Sequence, residues 1–272
     1  MSAEANARTQ VDLQVARDRW AGLGWQLLPE EPLSPAHNVA LDSVLLGAVG
    51  AGQRPPTLRF WSWSAQAVIL GRFQSLRNEV DLDEATARGV TVVRRTSGGG
   101  AMFVQPDATI TYSLYLPERY AEGLSFAASY AALDSWVVAG LRDLGVDAWY
   151  VPLNDITSAA GKIGGAAQAR RNHAVLHHTT VSYEMNTEEM ARVLRIGREK
   201  LSDKGITSAA KRVSPLRRQT DLPRAAIRDH LIATFQANFG LVDSHLTAAE
   251  RAEADRLVRE QFATEAWTHD LP

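Results

Sequence analysis

The chain reads as an α+β domain, a mixed β-sheet flanked by helices. Three observations predict it. Runs such as Leu58 to Trp63 and Thr109 to Leu116 are rich in β-branched and aromatic residues and are bounded by turn residues, as strands are. Longer stretches, from Ser34 to Gly50 and from Phe126 to Leu144, carry apolar residues at helical spacing. No internal repeat or low-complexity linker separates the two kinds of segment, so they are expected to share a core. With 272 residues and 45% hydrophobic content, the chain can bury that core in one large domain with a small appendage.

Taken in order, Met1 to about Ala21 reads as a mobile or loosely helical leader, with a short amphipathic helix over Asp12 to Trp20. Ser34 is a cap signal for a mostly buried helix through Val39, Leu41, Val44, Leu45 and Ala48, which Gly50 and Gly52 end. Asn38 and Asp42 share one face of it. Pro55 and Pro56 mark a turn, after which Leu58 to Trp63 and Ala67 to Leu70 read as two strands around Ser64 to Gln66, the first ladder of the sheet. Asp81 to Arg88 is a short helix stopped by Gly89, feeding a strand over Val90 to Arg94; Thr109 to Leu116 is a further strand. The core helix from Phe126 ends at Gly145, and Val146 to Val151 returns to strand. Short strands and turns fill Asn154 to Met185, and helices dominate from Thr187, broken near Lys204 to Ile206 and at Pro215 and Pro223. The expected divisions are residues 1–33, a leader and first strand; 34–220, the main domain; and 221–272, a helical segment packed on it.

Composition excludes several functions. A formal net charge of −2 gives no global basic field, so no nucleic-acid partner is expected and any anion recognition must be local. No apolar run approaches the ~20 residues that span a bilayer, and the polar start MSAEANARTQ lacks a signal-peptide core. A soluble, cytoplasmic protein without a membrane partner is expected. Cysteine is absent, which removes disulfides, thiolate metal sites and any cysteine nucleophile. The seven histidines show no metal-ligand spacing, although His173, His177 and His178 cluster.

Two segments carry chemistry. In VVRRTSGGGAMFVQ, Val92 to Gln105, Arg94 and Arg95 supply fixed positive charge, while Gly98, Gly99 and Gly100 let backbone N–H groups approach an anion. Strand, anion-binding turn, strand is one reading; a glycine-rich hairpin or bulge with solvated arginines is the other. In NDITSAAGKIGGAAQARRNHAVLHHTT, Lys162 stands between Gly161 and the pair Gly164-Gly165, where an open backbone can present its ammonium to a phosphate or carboxylate. Asp155 can hold Mg²⁺ or orient Lys162, or simply close an Asx turn after Pro152. His177 and His178 face opposite ways if they lie on a strand, so only one reaches a given pocket. Arg72, after Gly71, is a further anion donor.

Together these residues resemble the lipoate-protein ligase A family, within the wider group of biotin and lipoate ligases and octanoyltransferases. Four blocks match in order over roughly Ser34 to Val213: HNVALDSVLL, GRFQS with RRTSGGGAMF, NDITSAAGKIGGAAQARR with HHTT, and EKLSDKGITSAAKRV. The resemblance implies a biotin/lipoate ligase catalytic-domain-like fold that activates lipoic acid with ATP and Mg²⁺ to lipoyl-AMP. It then implies transfer of the acyl group to a lysine of a lipoyl domain, in a 2-oxoacid dehydrogenase E2 or a glycine cleavage H protein. By this mapping Arg95 and the stretch Gly99, Gly100, Ala101, Met102 and Phe103 bind ATP. Arg72, Arg94, Thr96 and His178 line the lipoate site, and Lys162 bridges both substrates. Asp155 places Lys162 or Mg²⁺. Val104 and Gln105 stand where the family usually has His-Asp, and HHT replaces HHG. No accessory C-terminal domain fits in the remaining length, which implies a separate accessory subunit. The alternatives are an octanoyltransferase drawing on acyl carrier protein, whose relatives form a thioester on cysteine, and a non-catalytic lipoate- or nucleotide-binding homologue.

Overall fold

Eleven short strands divide between two sheets in the computed structural model, which describes residues 3–195 and 213–271. They are β1 (Gln26–Leu33), β2 (Thr57–Trp63), β3 (Ala67–Leu70), β4 (Thr91–Arg94), β5 (Met102–Val104), β6 (Thr109–Pro117), β7 (Trp149–Val151), β8 (Asp155–Ser158), β9 (Gly161–Arg171), β10 (Ala174–Ser182) and β11 (Val242–Asp243). The main sheet has the order β11-β1-β2-β6-β10-β9-β8-β7; β1 runs parallel to both its neighbours and the remaining pairs are antiparallel. A smaller sheet, β4-β3-β5, stands apart. The expected α+β architecture with a mixed sheet is therefore present, with one correction. β2 and β3 make no ladder with each other: β2 joins β1 and β6, while β3 joins β4 and β5. Local alternation identifies a strand but carries no information about its partner.

Among the described residues the α-helices are α1 (Ala3–Trp20), α2 (Pro35–Gly50), α3 (Leu76–Glu79), α4 (Leu82–Ala87), α5 (Phe126–Asp143), α6 (Thr187–Val193), α7 (Arg224–Phe239), α8 (Ala248–Leu257) and α9 (Glu265–Thr268). On one face of the main sheet α1, α5 and α7 bury an aromatic cluster in which the Phe235 ring meets Trp25 and Trp136 edge-on, at 5.2 and 5.1 Å. The amphipathic helix expected over Asp12 to Trp20 is present and extends back to Ala3, packed rather than mobile. Leu13, Ala16 and Trp20 form a stripe at 3–4-residue spacing against that cluster, and Trp20 Nε1 donates to the Tyr120 carbonyl.

The opposite face holds α2, capped by Ser34, whose hydroxyl accepts from the His37 amide, with Pro35 in the first turn. This helix is apolar on two sides because it is covered on two sides. Leu45, Leu46 and Val49 pack on Tyr115 and Leu176 of the main sheet, while Val39, Ala40 and Leu41 cluster with Trp61, Ile69, Val93 and Val104 near the small one. Its last turn touches the β9–β10 hairpin, whose two-residue turn places Asn172 and His173 at φ 55° and 60°. A Cβ at Gly50 would lie 1.7 Å from the Asn172 carbonyl oxygen, so only glycine allows that approach.

Candidate active site

The pleat of β10 sends its two histidines to opposite faces. His177 points toward α5, where Asp134 Oδ1 lies 2.8 Å from His177 Nε2 and accepts from the Tyr112 and Thr179 hydroxyls at 2.6 and 2.8 Å. His178 points toward α2. Its Nδ1 lies 2.8 Å from Asp42 Oδ2 and its Nε2 lies 2.7 Å from the Ser97 hydroxyl. Asp42 also accepts from Ser113 and Tyr115, and Arg59 stands 3.9 Å away. Both ring nitrogens of His178 are thus engaged, so its expected contact with lipoate is replaced by one with the residue that opens the glycine run.

That run is a loop between β4 and β5. Arg95 organises it from within: Nη2 donates to the Gly98 and Gly100 carbonyls at 2.6 and 2.8 Å, Nη1 to Ile69 at 3.0 Å, and Nε to the Ser97 hydroxyl at 2.9 Å. Burial lowers the Arg95 pKa to about 10, so the guanidinium remains a cation at neutral pH beneath the glycines. Gly99 adopts φ +85°, and a Cβ on Gly71 would fall 2.0 Å from the Gly99 carbonyl oxygen, so the loop folds tightly onto the end of β3. The run is strand, loop, strand, and not a hairpin: β4 and β5 flank β3 and do not pair with each other.

Arg94, one residue earlier and on the other side of the strand, is fully buried. Its five N–H donors reach the carbonyls of Gly71, Arg72, Gln74, Trp267, Thr268 and Leu271. Nothing is left for a ligand, so the expected place of Arg94 in the acyl pocket gives way to that of a clamp. Arg72 keeps an exposed edge but is held by Asp270 at 2.6 Å and lies over the Trp267 ring at 4.6 Å. The Thr96 carbonyl accepts from Arg171 at 2.6 Å.

The second block supplies the floor. A Cβ on Gly99 would be 3.6 Å from the Cβ of Ala167, which joins the glycine loop to β9. Two residues along the same face lies Gly165, over which the Lys162 side chain folds: a Cβ there would meet Lys162 Nζ at 2.9 Å. A β-bulge around Ile163 and Gly164, opposite Ile156, turns Lys162 onto this face. Its ammonium is 2.7 Å from Asp155 Oδ1 and one-third exposed. Lys162, Asp155, Gly165, Ala167 and the loop of Gly98 to Gly100 therefore share one surface, a cation held beside a backbone that can admit a large anion.

Several expectations change in detail. The side chain of Phe103 is buried among Leu70, Leu76 and Val68, so only its backbone can serve a ligand. Val104 is fully buried against Ala67 and Ile69. Gln105 donates to Glu189 and accepts from the Asn186 amide at the cap of α6, so this pair builds the fold rather than a pocket wall. Met102 lies against the Thr180 hydroxyl at 3.2 Å, at the edge of the site. Among the described residues no group of three or more His, Asp or Glu side chains gathers as a metal cage. Asp155 is committed to Lys162, which fits a metal arriving with phosphates better than one held by protein alone. The block EKLSDKGITSAAKRV lies, apart from Val213, outside the described residues. Val213 bridges Lys162, and the Ser214 amide donates to the Lys162 carbonyl at 2.8 Å. The residues that local patterning missed are Ser97, Arg171 and Asp270.

Residues 34–236 match the family described as the lipoyl protein ligase A/B catalytic domain. Among curated proteins, octanoyltransferase LipM of Kyrpidia tusciae is 30% identical over 90% of this chain and 98% of its own length. The LipM of Brevibacillus brevis is 28% identical over 89% and 98%. Among solved structures, a bi-partite lipoate protein ligase studied with its E2 lipoyl domain from Thermoplasma acidophilum superposes with a TM-score of 0.78 at 28% identity, covering 92% of this chain and 97% of that one. A lipoate-protein ligase A bound with ATP gives 0.77 at 26% identity, covering 92% and 99%.

Proposed function

This chain belongs to the lipoyl protein ligase A/B catalytic domain family, enzymes of the lipoate ligase and octanoyltransferase group, and on that premise we propose that it is a lipoate-protein ligase. It activates lipoic acid with ATP and Mg²⁺ to lipoyl-AMP, then transfers the acyl group to a lysine of a lipoyl domain, of a 2-oxoacid dehydrogenase E2 or a glycine cleavage H protein, with or without an accessory subunit. The observation that carries this reading is Lys162, held by Asp155 over Gly165 on the strand face whose Ala167 meets the glycine loop. Bringing a carboxylate onto an α-phosphate assembles two anions, and a preorganised ammonium between them stabilises the charge that builds as the mixed anhydride forms. The glycine loop offers backbone room for the nucleotide, with the Arg95 cation beneath it. A lipoate-protein ligase A of this fold is known bound with ATP, and a protein of this fold from Thermoplasma acidophilum with bound lipoic acid, which supports both as ligands of a chain in this family.

Octanoyl transfer from an acyl carrier is the second reading, favoured by the names of the curated relatives. Against the cysteine-thioester form of that chemistry stands the sequence itself, which has no cysteine in its 272 residues. The deciding experiment is pyrophosphate–ATP exchange with lipoate, octanoate or biotin, beside octanoyl transfer from a carrier without ATP. Lipoate-dependent exchange is expected. Transfer from the carrier alone, with no exchange, overturns the ligase reading; binding of lipoate and ATP without turnover in either assay leaves a non-catalytic homologue. Lys162→Ala is expected to lose ~10²–10³-fold in exchange, the usual effect of removing one preorganised electrostatic partner.

A further inference from the structure

On the outer flank of the glycine loop, three consecutive residues are held from one side. The Thr96 carbonyl accepts from Arg171 Nη2 at 2.6 Å, the Ser97 carbonyl accepts from the Arg72 amide at 2.8 Å, and a Cβ on Gly98 would lie 3.7 Å from the Phe73 ring. The Arg72 guanidinium lies over that ring, 5.9 Å from its centroid. Phe73 is 78% exposed and Arg171 is exposed, so this side of the loop faces solvent. The residue before Arg171 on β9, Arg170, turns to the opposite face of the strand and lies 4.5 Å over the ring of Phe126, itself 58% exposed. An arginine stacked on an exposed phenylalanine thus stands on each side of the strand.

Charge on this flank is one-sided. Arg72, Arg94, Arg95 and Arg171 all bond to the loop or its edge, against the carboxylate of Asp270 on Arg72, in a chain whose formal net charge is −2. Burial and the charge of Arg72 both lower the Arg171 pKa, as two cations on one flank require. Distance separates these arginines from the nucleotide. Gly165, beneath the Lys162 ammonium, and Arg171 both lie on β9, and the strand rises ~20 Å between them at about 3.3 Å per residue. A triphosphate whose α-phosphate is held at Lys162 cannot span that length. A protein domain can, since one partner of a standard interface covers ~800 Å².

We infer that Arg72, Phe73 and Arg171, with Arg170 and Phe126 beside them, form the docking surface for the lysine-bearing acceptor domain, which meets it with carboxylates around an apolar side chain. The inference rests on the reading that this site acylates a protein lysine, whichever donor supplies the acyl group. Arginine and aromatic side chains are the types enriched at protein interfaces, and an exposed phenylalanine gains most when a partner removes it from water. The excess positive charge selects an acidic partner and speeds its approach. Seated on this flank, the domain leaves the Lys162 floor itself open to the lysine side chain.

The test is an NMR titration of an isotope-labelled, unlipoylated E2 lipoyl domain with the full chain, without nucleotide or acyl donor. It reads weak complexes and does not depend on a working nucleotide loop. Wild-type binding is expected to weaken with added salt, as attraction between exposed charges does. Arg171→Glu and Phe73→Ala are each expected to weaken it about 10-fold, as loss of an interface anchor does. A lipoyl domain whose carboxylates nearest the lysine are changed to lysine should bind wild type ~10-fold more weakly and regain about threefold or more on Arg171→Glu, a rescue that a purely structural role for Arg171 does not produce. Binding within about twofold of wild type in both variants overturns the inference, as does absence of the rescue. Variants that lose binding to an acyl carrier protein but keep the lipoyl domain assign the surface to the donor and overturn it too. Wild-type protein that acylates no lipoyl domain from either donor retires the reading of the site; acylation with binding indifferent to Arg171 and Phe73 retires the docking surface alone.

Discussion

Gly165→Ala is the substitution for which the structure gives the sharpest expectation. The added Cβ would lie 2.9 Å from Lys162 Nζ and 3.2 Å from Cε, yet 3.7 Å from Asp155 Oδ1, which is ordinary contact. Gly165 is not among the residues at positive φ, so β9 accepts alanine without backbone strain. What must give is the far end of a flexible lysine, by about half an ångström to reach normal contact, and a displacement of ~1 Å in a catalytic group costs about 10²-fold. A loss of roughly 10-fold in exchange is expected. Stability should barely move. Glycine-to-alanine replacement at a compatible position gains ~0.4–1 kcal/mol through the unfolded chain, and a weakened, partly exposed ion pair costs ~0–1 kcal/mol. The adjacent Gly164→Ala is the control. Its Cβ would lie 2.9 Å from the Thr180 carbonyl oxygen and 3.3 Å from Val181 Cα, backbone atoms that cannot swing aside. It should lose ~1–3 kcal/mol of stability by overpacking. Thermal melting and exchange on the two proteins read the difference directly. Full exchange in Gly165→Ala would refute the placement of the Lys162 ammonium over this residue as a requirement for activity, and a large drop in its melting temperature would show that the glycine serves the fold instead.

Three further outcomes follow from other contacts. Arg94→Ala strands buried carbonyls on both sides of the clamp and is expected to cost ~3–5 kcal/mol, since each unsatisfied buried group costs ~1–3 kcal/mol; urea unfolding measures it, and a loss under 1 kcal/mol would contradict the clamp. Asp270→Asn removes the counter-charge of Arg72, and tighter binding of an anionic substrate at low salt, by about 2–5-fold in KM, is expected from a half-exposed pair; an unchanged KM would show that Arg72 does not meet substrate. At Glu250, burial alone would raise the pKa, but the Arg54 hydrogen bond and those from Thr247 outweigh it and hold it below 4.5. A depressed folded-state value means the stabilisation is full above 4.5 and is lost as pH falls through the lower folded value. The melting-temperature gap between wild type and Glu250→Gln should therefore be constant near neutrality and close only in acid.

Much of the fold was legible because it is written locally. Ser34 and Asp81 cap the helices expected of them, and the strand from Thr109 and the helix from Phe126 begin where alternation and helical spacing begin. Partnership was not legible. Nothing near Ser64 to Gln66 announces that β2 and β3 enter different sheets, since pairing depends on residues as distant as Met102 and Thr111. The leader was legible in part: the helix over Asp12 to Trp20 was expected, but its extension to Ala3 and its packing were not, because Ala16 contributes to the buried stripe through its smallness, which a hydrophobic pattern underweights. In the site, the two glycine-bearing blocks and Lys162 were visible as residue types able to meet an anion. The division of labour between Arg94 and Arg95 was also available, because neighbours on a strand face opposite ways and the pair could never serve one pocket together. Asp270, far downstream, had no local signal at all.

The Arg94 clamp also bears on when the protein becomes competent. Its donors close on Trp267, Thr268 and Leu271, 173 to 177 positions downstream of the arginine, and Arg72 finds Asp270 in the same stretch. A ribosome that has released β3, β4 and the glycine loop has therefore delivered the parts of an anion site without the fastening that seats them. Until Trp267 to Leu271 emerge, Arg94 has only the carbonyls of Gly71, Arg72 and Gln74 to meet, all through Nη1, and its Nε and Nη2 donors wait. Completion of the site is thereby coupled to the emergence of residues 267–271, and a chain cut short before Trp267 is expected to hold an unfastened loop.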